Sequence, residues 1–192
     1  MAKGEETRAK LIRVAGELFA ERGYAGIGTE EIVAAAGLTR GALYHHFENK
    51  QDLFRAVFED LEQRLMGTIG ERMGGVEDPW ELMVTGVRAF LDACMEPEVM
   101  RIALLDAPSV LGWEEWREID ARHGLGLVSA GLQHAMDHGV LPVRDVRPLA
   151  HLFMGAMTEA AMVIANAPDP AAARGEVEPP LLDLLGGLRA RP

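Results

Sequence analysis

The stretch "GLTRGALYHHF", Gly37 to Phe47, places a hydroxyl, a guanidinium, a phenol and two imidazoles close together around a glycine. These groups suit recognition of a nucleic acid. Arg40 can donate two parallel hydrogen bonds to guanine O6 and N7. Gly41 has no side chain to hold its helix away from a groove. Tyr44 and His45 can bond backbone phosphates, with His46 the more buried or solvated neighbour. Two other sets invite chemistry and support it less. His134 and His138 have the i, i+4 spacing of a metal pair, but no third ligand follows, so two solvated histidines near a helix end is the better reading. Cys94 falls on an apolar stripe and reads as a small core residue rather than a nucleophile.

The elements that must position these groups are helices. Apolar residues recur at the 3.6-residue period, with no convincing alternation of period two, and the chain has no internal repeat. A first helix, about Thr7 to Arg22, carries the stripe Leu11, Ile12, Ala15, Leu18 and Phe19 and stops at Gly23. A short helix starts with Thr29 as its cap, buries Ile32, Val33 and Ala36, and ends at Gly37. Another runs from Thr39 to about His46, with Leu43 and Phe47 facing inward. Asn49 then caps a long helix bearing Leu53, Phe54, Val57, Phe58, Leu61 and Leu65. Two short helices joined by "AGLT" are the layout of a helix-turn-helix, whose second helix enters the major groove with its N-terminal residues at the base edges. Lys50 adds a cation beside the amides that open the next helix.

Beyond the looser "MGGVEDP", Asp78-Pro79 opens a helix with Trp80, Met83, Val87, Phe90, Leu91 and Cys94 inward. A helix over Met100 to Leu105 ends before Pro108. A long one spans Trp113 to His138, where Gly124, Gly126 and Gly131 predict a bend or close packing. The segment around Phe153 is apolar nearly all round. "PDPAAARGEVEPP" reads as a loop before a last helix, Leu181 to Leu188. The expected fold is all-α: a three-helix head, residues 1–53, and a larger helical body, residues 54–192.

The net charge of −11 is uneven. Met1 to Arg55 holds eight Lys/Arg against eight Asp/Glu, so the excess lies in the body. A phosphate-binding surface needs local cations rather than a cationic protein. A single cysteine, no signal-like N-terminus and no apolar run of about 20 residues point to a soluble protein of a reducing cytoplasm, off the membrane.

The pattern "AGELFAERGYAGIGTEEIVAAAGLTRGALYHHFENKQDLF" resembles the DNA-binding head of the TetR family of transcriptional regulators, through Leu18-Phe19, Gly23-Tyr24, Thr29, Ile32, Ala35-Ala36-Gly37, Gly41, Leu43-Tyr44, Phe47, Lys50 and Leu53. The match spans about Ala9 to Phe58; the remainder resembles the family only in length and helical plan. The resemblance implies base contacts by Thr39, Arg40 and Gly41, and phosphate contacts by Thr29, Tyr44, His45 and Lys50. It implies a homodimer on double-stranded operator DNA and a body pocket for a small-molecule effector. Candidates for that pocket are Phe90, Cys94, Met100, Trp113, Trp116, Met136, Phe153 and Met157, each of which can equally be core. It also implies a dimer interface of two helices from each protomer, with Phe153, Ala156, Ala160, Leu181, Leu184, Leu185 and Leu188.

The reading that results is a regulator, most often a repressor in that family, released from its operator by an effector, with no catalytic set, cofactor or metal. A constitutive DNA-binding protein without effector is the alternative, and an enzyme or metal protein built on the body a more distant one. Effector, operator and direction of regulation stay open.

Overall fold

The computed structural model describes residues 2–189. Among them it contains helices and no strand: α1 (Ala2–Arg22), α2 (Thr29–Ala35), α3 (Arg40–His46), α4 (Lys50–Met73), α5 (Pro79–Ala93), a π-helical segment (Val99–Asp106), α6 (Ala107–Leu111), α7 (Trp113–Asp137), α8 (Val146–Asn166) and α9 (Pro170–Gly186). The chain folds as two compact units. One takes the chain through Glu62 together with Pro97–Arg117; the other takes Gln63–Glu96 together with the chain from Glu118 on.

In the first unit, Leu11, Phe19, Ile32, Leu43, Leu53, Phe54 and Phe58 are fully buried. Phe54 meets Phe19 edge-on with ring centroids 5.3 Å apart, and meets Tyr24 at 5.1 Å. Gly23 ends α1 with φ +73°, its N–H donating to the Phe19 carbonyl at 2.8 Å. That conformation suits glycine, and so does the space: a Cβ there would lie 1.9 Å from Arg101 Nη2. The sequence places a cap at Thr29, whereas the cap is Gly28, extended at φ −93° and ψ 157°. Glu31 reaches back to accept the Gly28 N–H at 2.9 Å, which makes Thr29 the first helical residue. Asn49 caps α4 as expected, its Oδ1 accepting the Asp52 N–H at 2.9 Å.

The expected helix over Met100 to Leu105 is a π-helical segment from Val99 to Asp106 that runs on into α6. Pro108 does not stop the chain: it falls in the first turn of α6, where the π-helical segment gives way to α-helix.

In the second unit, α8 packs on α9, and both meet α5. By length and composition α8 is apolar enough to cross a bilayer. Here eight of its residues, from Ala150 to Ala165, are buried. The stretch read as a loop is helical, with α9 beginning at Pro170 behind the Asp169 cap. Pro179 and Pro180 lie inside this helix despite the lost N–H groups. Ion pairs hold the turns before them to α5: Arg174 Nη2 lies 2.7 Å from Asp92 Oδ1, Arg88 Nε lies 2.8 Å from Glu178 Oε1, and Arg174 also bonds Glu178.

Candidate nucleic-acid interface and effector cavity

The turn between α2 and α3 is set by backbone bonds. Gly37 adopts φ +61°, its N–H donating to Ala34 at 3.0 Å, while the Leu38 N–H donates to Val33 at 2.8 Å. These paired bonds close α2 as a Schellman motif, and they need a left-handed residue at Gly37. Thr39 then caps α3, its Oγ1 accepting the Ala42 N–H at 3.2 Å. Its hydroxyl proton stays available for an outside acceptor. Leu43 and Phe47 anchor the helix in the core. Thr39, Arg40, Gly41, Tyr44 and His45 are exposed.

Two of these outward groups, Arg40 and Tyr44, meet each other and residues of α2. The Arg40 guanidinium lies 5.4 Å from the Tyr44 ring centroid, and Arg40 Nη1 is 3.6 Å from Glu30 Oε1. The Tyr44 hydroxyl is held below its ordinary pKa, chiefly by its hydrogen bond with Thr29 and then by Arg40. Thr29, Arg40 and Tyr44 thus form one cluster bridging α2 and α3. His45 lies outside it, its ring 5.1 Å from that of His46.

Lys50 is placed differently. Its ammonium donates to the Tyr24 carbonyl and sits 4.0 Å from the Tyr24 ring centroid. Burial pushes its pKa down, with Asp106 and Glu31 opposing. Asp106 Oδ2 in turn accepts the Tyr24 N–H at 2.7 Å. Lys50 therefore ties Tyr24 in place as well as facing the start of α4. At Gly41 an added Cβ would meet only Thr39 Oγ1, at 3.9 Å. The chain itself does not require a glycine there.

The second unit holds a cavity of about 680 Å³, counting its opening to solvent. Five methionines (Met66, Met73, Met83, Met154 and Met157) line it with the rings of Phe90 and Phe153. One face of α7 supplies Asp120, Gly124, Leu127, Val128 and Gly131, at steps of three and four residues. Gly124 is a close approach, since a Cβ would lie 3.2 Å from the Met154 methyl. An added Cβ at Gly131 would meet nothing within 4 Å. Asp120 and Thr158 are the polar lining residues.

Sequence comparison decides the relationship. Residues 11–57 match the domain described as bacterial regulatory proteins, tetR family. Residues 80–188 match the tetracyclin repressor-like C-terminal domain. The chain belongs to the TetR family. Among relatives of this TetR-family regulator, the HTH-type transcriptional regulator SrpR of Pseudomonas putida is 30% identical over 82% of this chain and 74% of its own length. The transposon Tn10 TetC protein of Escherichia coli is 25% identical over 90% and 87%. A TetR-family transcriptional regulator from Pectobacterium atrosepticum, known by crystal structure, superposes with TM-score 0.90 at 36% identity, covering all of this chain and 98% of that one. The chain is thus a helix-turn-helix transcriptional regulator, with α2 and α3 as the motif.

Within the TetR body, the cavity takes three of the residues singled out by sequence, Phe90, Phe153 and Met157. Cys94 and Met136 are buried in the second unit outside its lining. Met100, Trp113 and Trp116 belong to the first unit. There Trp116 donates its indole N–H to the Ala103 carbonyl at 2.9 Å and packs on the exposed Trp113, ring centroids 4.8 Å apart. The bend or close packing expected at the α7 glycines is met as close packing at Gly124; a glycine four and eleven residues beyond Asp120 on one helix face is the further signal that marks the cavity.

Of the expected interface residues, Ala160, Leu181 and Leu185 are buried within the protomer, and Phe153 reaches the cavity. Ala156 and Leu188 are half-buried, and Leu184 is exposed. Leu152 and Val163, not singled out by sequence, share the exposed face of α8 with Ala156. His134 and His138 stack at the end of α7 with rings 4.2 Å apart, and His138 Nδ1 is 2.8 Å from the His134 carbonyl.

Proposed function

We propose that this TetR-family protein is a homodimeric repressor that binds a pseudopalindromic operator and leaves it when a small molecule fills the cavity of the second unit. The observation that carries the reading is that α3 keeps its first turn and Tyr44 in solvent while Leu43 and Phe47 are buried. A helix so held offers Thr39, Arg40 and Gly41 to base edges, with Thr29, Tyr44 and His45 beside it for phosphates and Lys50 joining them by turning outward from Tyr24.

Dimerisation is supported by the apolar side chains that α8 and α9 leave in water: Leu152 is 74% exposed, Leu184 62% and Val163 45%. A second copy of the chain is the partner such a patch suits, with Ala156 between them allowing close helix approach and Leu188 at its edge. The effector acts by differential affinity, binding better to a conformation whose two α3 helices miss half-sites about 34–36 Å apart.

The test is selection of bound duplexes from a random pool, followed by affinity of the winner against salt. An inverted repeat whose affinity falls steeply with salt supports the reading. Enrichment of a single half-site bound by monomer, or no enrichment, overturns it.

A further inference from the structure

We infer that Arg8 is a further anchor for the operator backbone, holding a phosphate across the groove from those offered to Thr29 and Tyr44; the inference rests on the operator reading above and adds a contact to the same interface. Arg8 stands apart from the arginines that follow it. Arg13 pairs with Glu17 at 2.7 Å, Arg22 with Glu31 at 2.9 Å, Arg40 with Glu30 at 3.6 Å and Arg55 with Asp52 at 2.9 Å. Arg8, exposed near the start of α1, pairs with no carboxylate among the described residues. Its guanidinium lies over the Phe47 ring instead, 5.4 Å from the centroid. A ring attracts the cation without consuming its N–H groups, which remain to donate in pairs to a phosphate. Phe47 is buried at the C-cap of α3, so the cation is held ready at the end of that helix.

Helical phase puts this group on the far flank of α3. With about 100° between successive residues, Leu43 and Phe47 point inward, Gly41 and His45 outward, and Tyr44 and His46 to opposite sides. The Tyr44 side bears Thr29, reached from α2. The His46 side faces α1: the His46 ring lies 6.5 Å from that of Phe47, and a Cβ on Gly4 would come within 3.8 Å of His46 Cε1. Gly4 and Arg8 stand one turn apart on α1, and Arg8 continues the inward row of Ile12, Ala15 and Phe19 beyond the core. Its side chain therefore reaches α3. A helix in the major groove, about 12 Å wide, has a sugar–phosphate strand along each side. With α3 docked there, Thr29 and Tyr44 meet one strand and Arg8 the other.

The test uses the full chain, the operator recovered by selection and a non-cognate duplex of equal length, with affinities titrated against salt. Arg8→Ala binds both duplexes about tenfold or more weaker, and its salt slope is shallower than that of the parent chain by about one for each half-site. Arg8→Lys keeps the slope. Lys10→Ala, which removes a cation from the outward face of α1, leaves the slope and both affinities near the parent values. Scanning one neutral methylphosphonate at a time along each operator strand locates the contact. Arg8→Ala loses sensitivity at a phosphate on one strand, and Tyr44→Phe at a phosphate on the other. An unchanged slope in Arg8→Ala, a slope change matched by Lys10→Ala, a loss confined to the selected operator, or lost sensitivity on the same strand as Tyr44→Phe overturns the inference. Those results leave an operator-binding dimer standing, whereas a pool that yields no operator removes that reading and the anchor with it.

Discussion

Glu30 and Arg40 form an ion pair across the helix-turn-helix, 3.6 Å apart with both side chains mainly in water. The guanidinium that would reach a base or phosphate is thus occupied by an acid from the neighbouring helix, and docking on DNA must exchange one partner for the other. Glu30→Gln removes the competitor and one negative charge from the interface. Because an exposed pair is worth about 0–1 kcal/mol, operator affinity rises by up to about fivefold, most visibly at low salt. Weaker binding by Glu30→Gln in a titration against salt would show that Glu30 has another role.

Tyr44→Phe and Arg40→Ala separate positioning from reading. Losing the Tyr44 hydroxyl also loses its bond with Thr29, so Tyr44→Phe weakens all sequences alike. Arg40→Ala lowers affinity and also relaxes preference at one base pair, by about 1–3 kcal/mol of discrimination. Binding-site selection with each variant distinguishes the two; intact operator affinity in both sinks the docking arrangement.

Gly131 lines the cavity from inside α7, with open space where a Cβ would go. Gly131→Ala stabilises by about 1 kcal/mol through helix propensity. Gly131→Leu fills ligand volume, so operator binding persists while effector response is lost. Calorimetry and operator release under a saturating effector check both.

Two glycines with positive φ separate conformational strain from crowding. Gly37→Ala meets no neighbour within 4 Å and costs only the left-handed backbone, about 1–2 kcal/mol. Gly23→Ala bears that cost and must also displace the Arg101 guanidinium, which pairs with Asp106 at 3.4 Å. The melting temperature therefore falls further for Gly23→Ala, at about 2–4 °C per kcal/mol for a chain of this size. Equal losses would mean that Arg101 moves freely.

The α5–α9 ion pairs set an acid limit. Glu178 is held below its usual 4.5, first by its bond to Arg174 and then by Arg88. A carboxylate with a depressed folded pKa binds fewer protons folded than unfolded. Its stabilisation is present above pH 4.5 and drains away as pH falls through the folded value. Glu178→Gln lowers stability near neutrality by about 1 kcal/mol and flattens the acid limb of a stability-versus-pH curve. An unchanged acid limb would remove Glu178 from the account.

The head was largely legible in the sequence because its punctuation is local. Gly23 and Gly37 stop helices by conformation, and Asn49 starts one through its own side chain. Thr29 was displaced by one position, because a glycine with a glutamate three residues on caps as well as a threonine does. Residues 170–180 were harder to read: their prolines signal a loop, and what keeps them helical are pairs with Asp92 and Arg88, some 80–90 residues away. The cavity was the least legible part. A methionine that lines a space and one that fills a core have the same periodicity, and only the absence of neighbours tells them apart.

Gly41 carries a consequence for how this protein changes over generations. In the proposed docking, a helical glycine that no internal contact requires is a position where side chains are tolerated by the fold and tested by the operator. On that docking, target preference at Gly41 would vary independently of foldability, so a duplicated copy could acquire a new regulatory site by substitution there without first losing its structure.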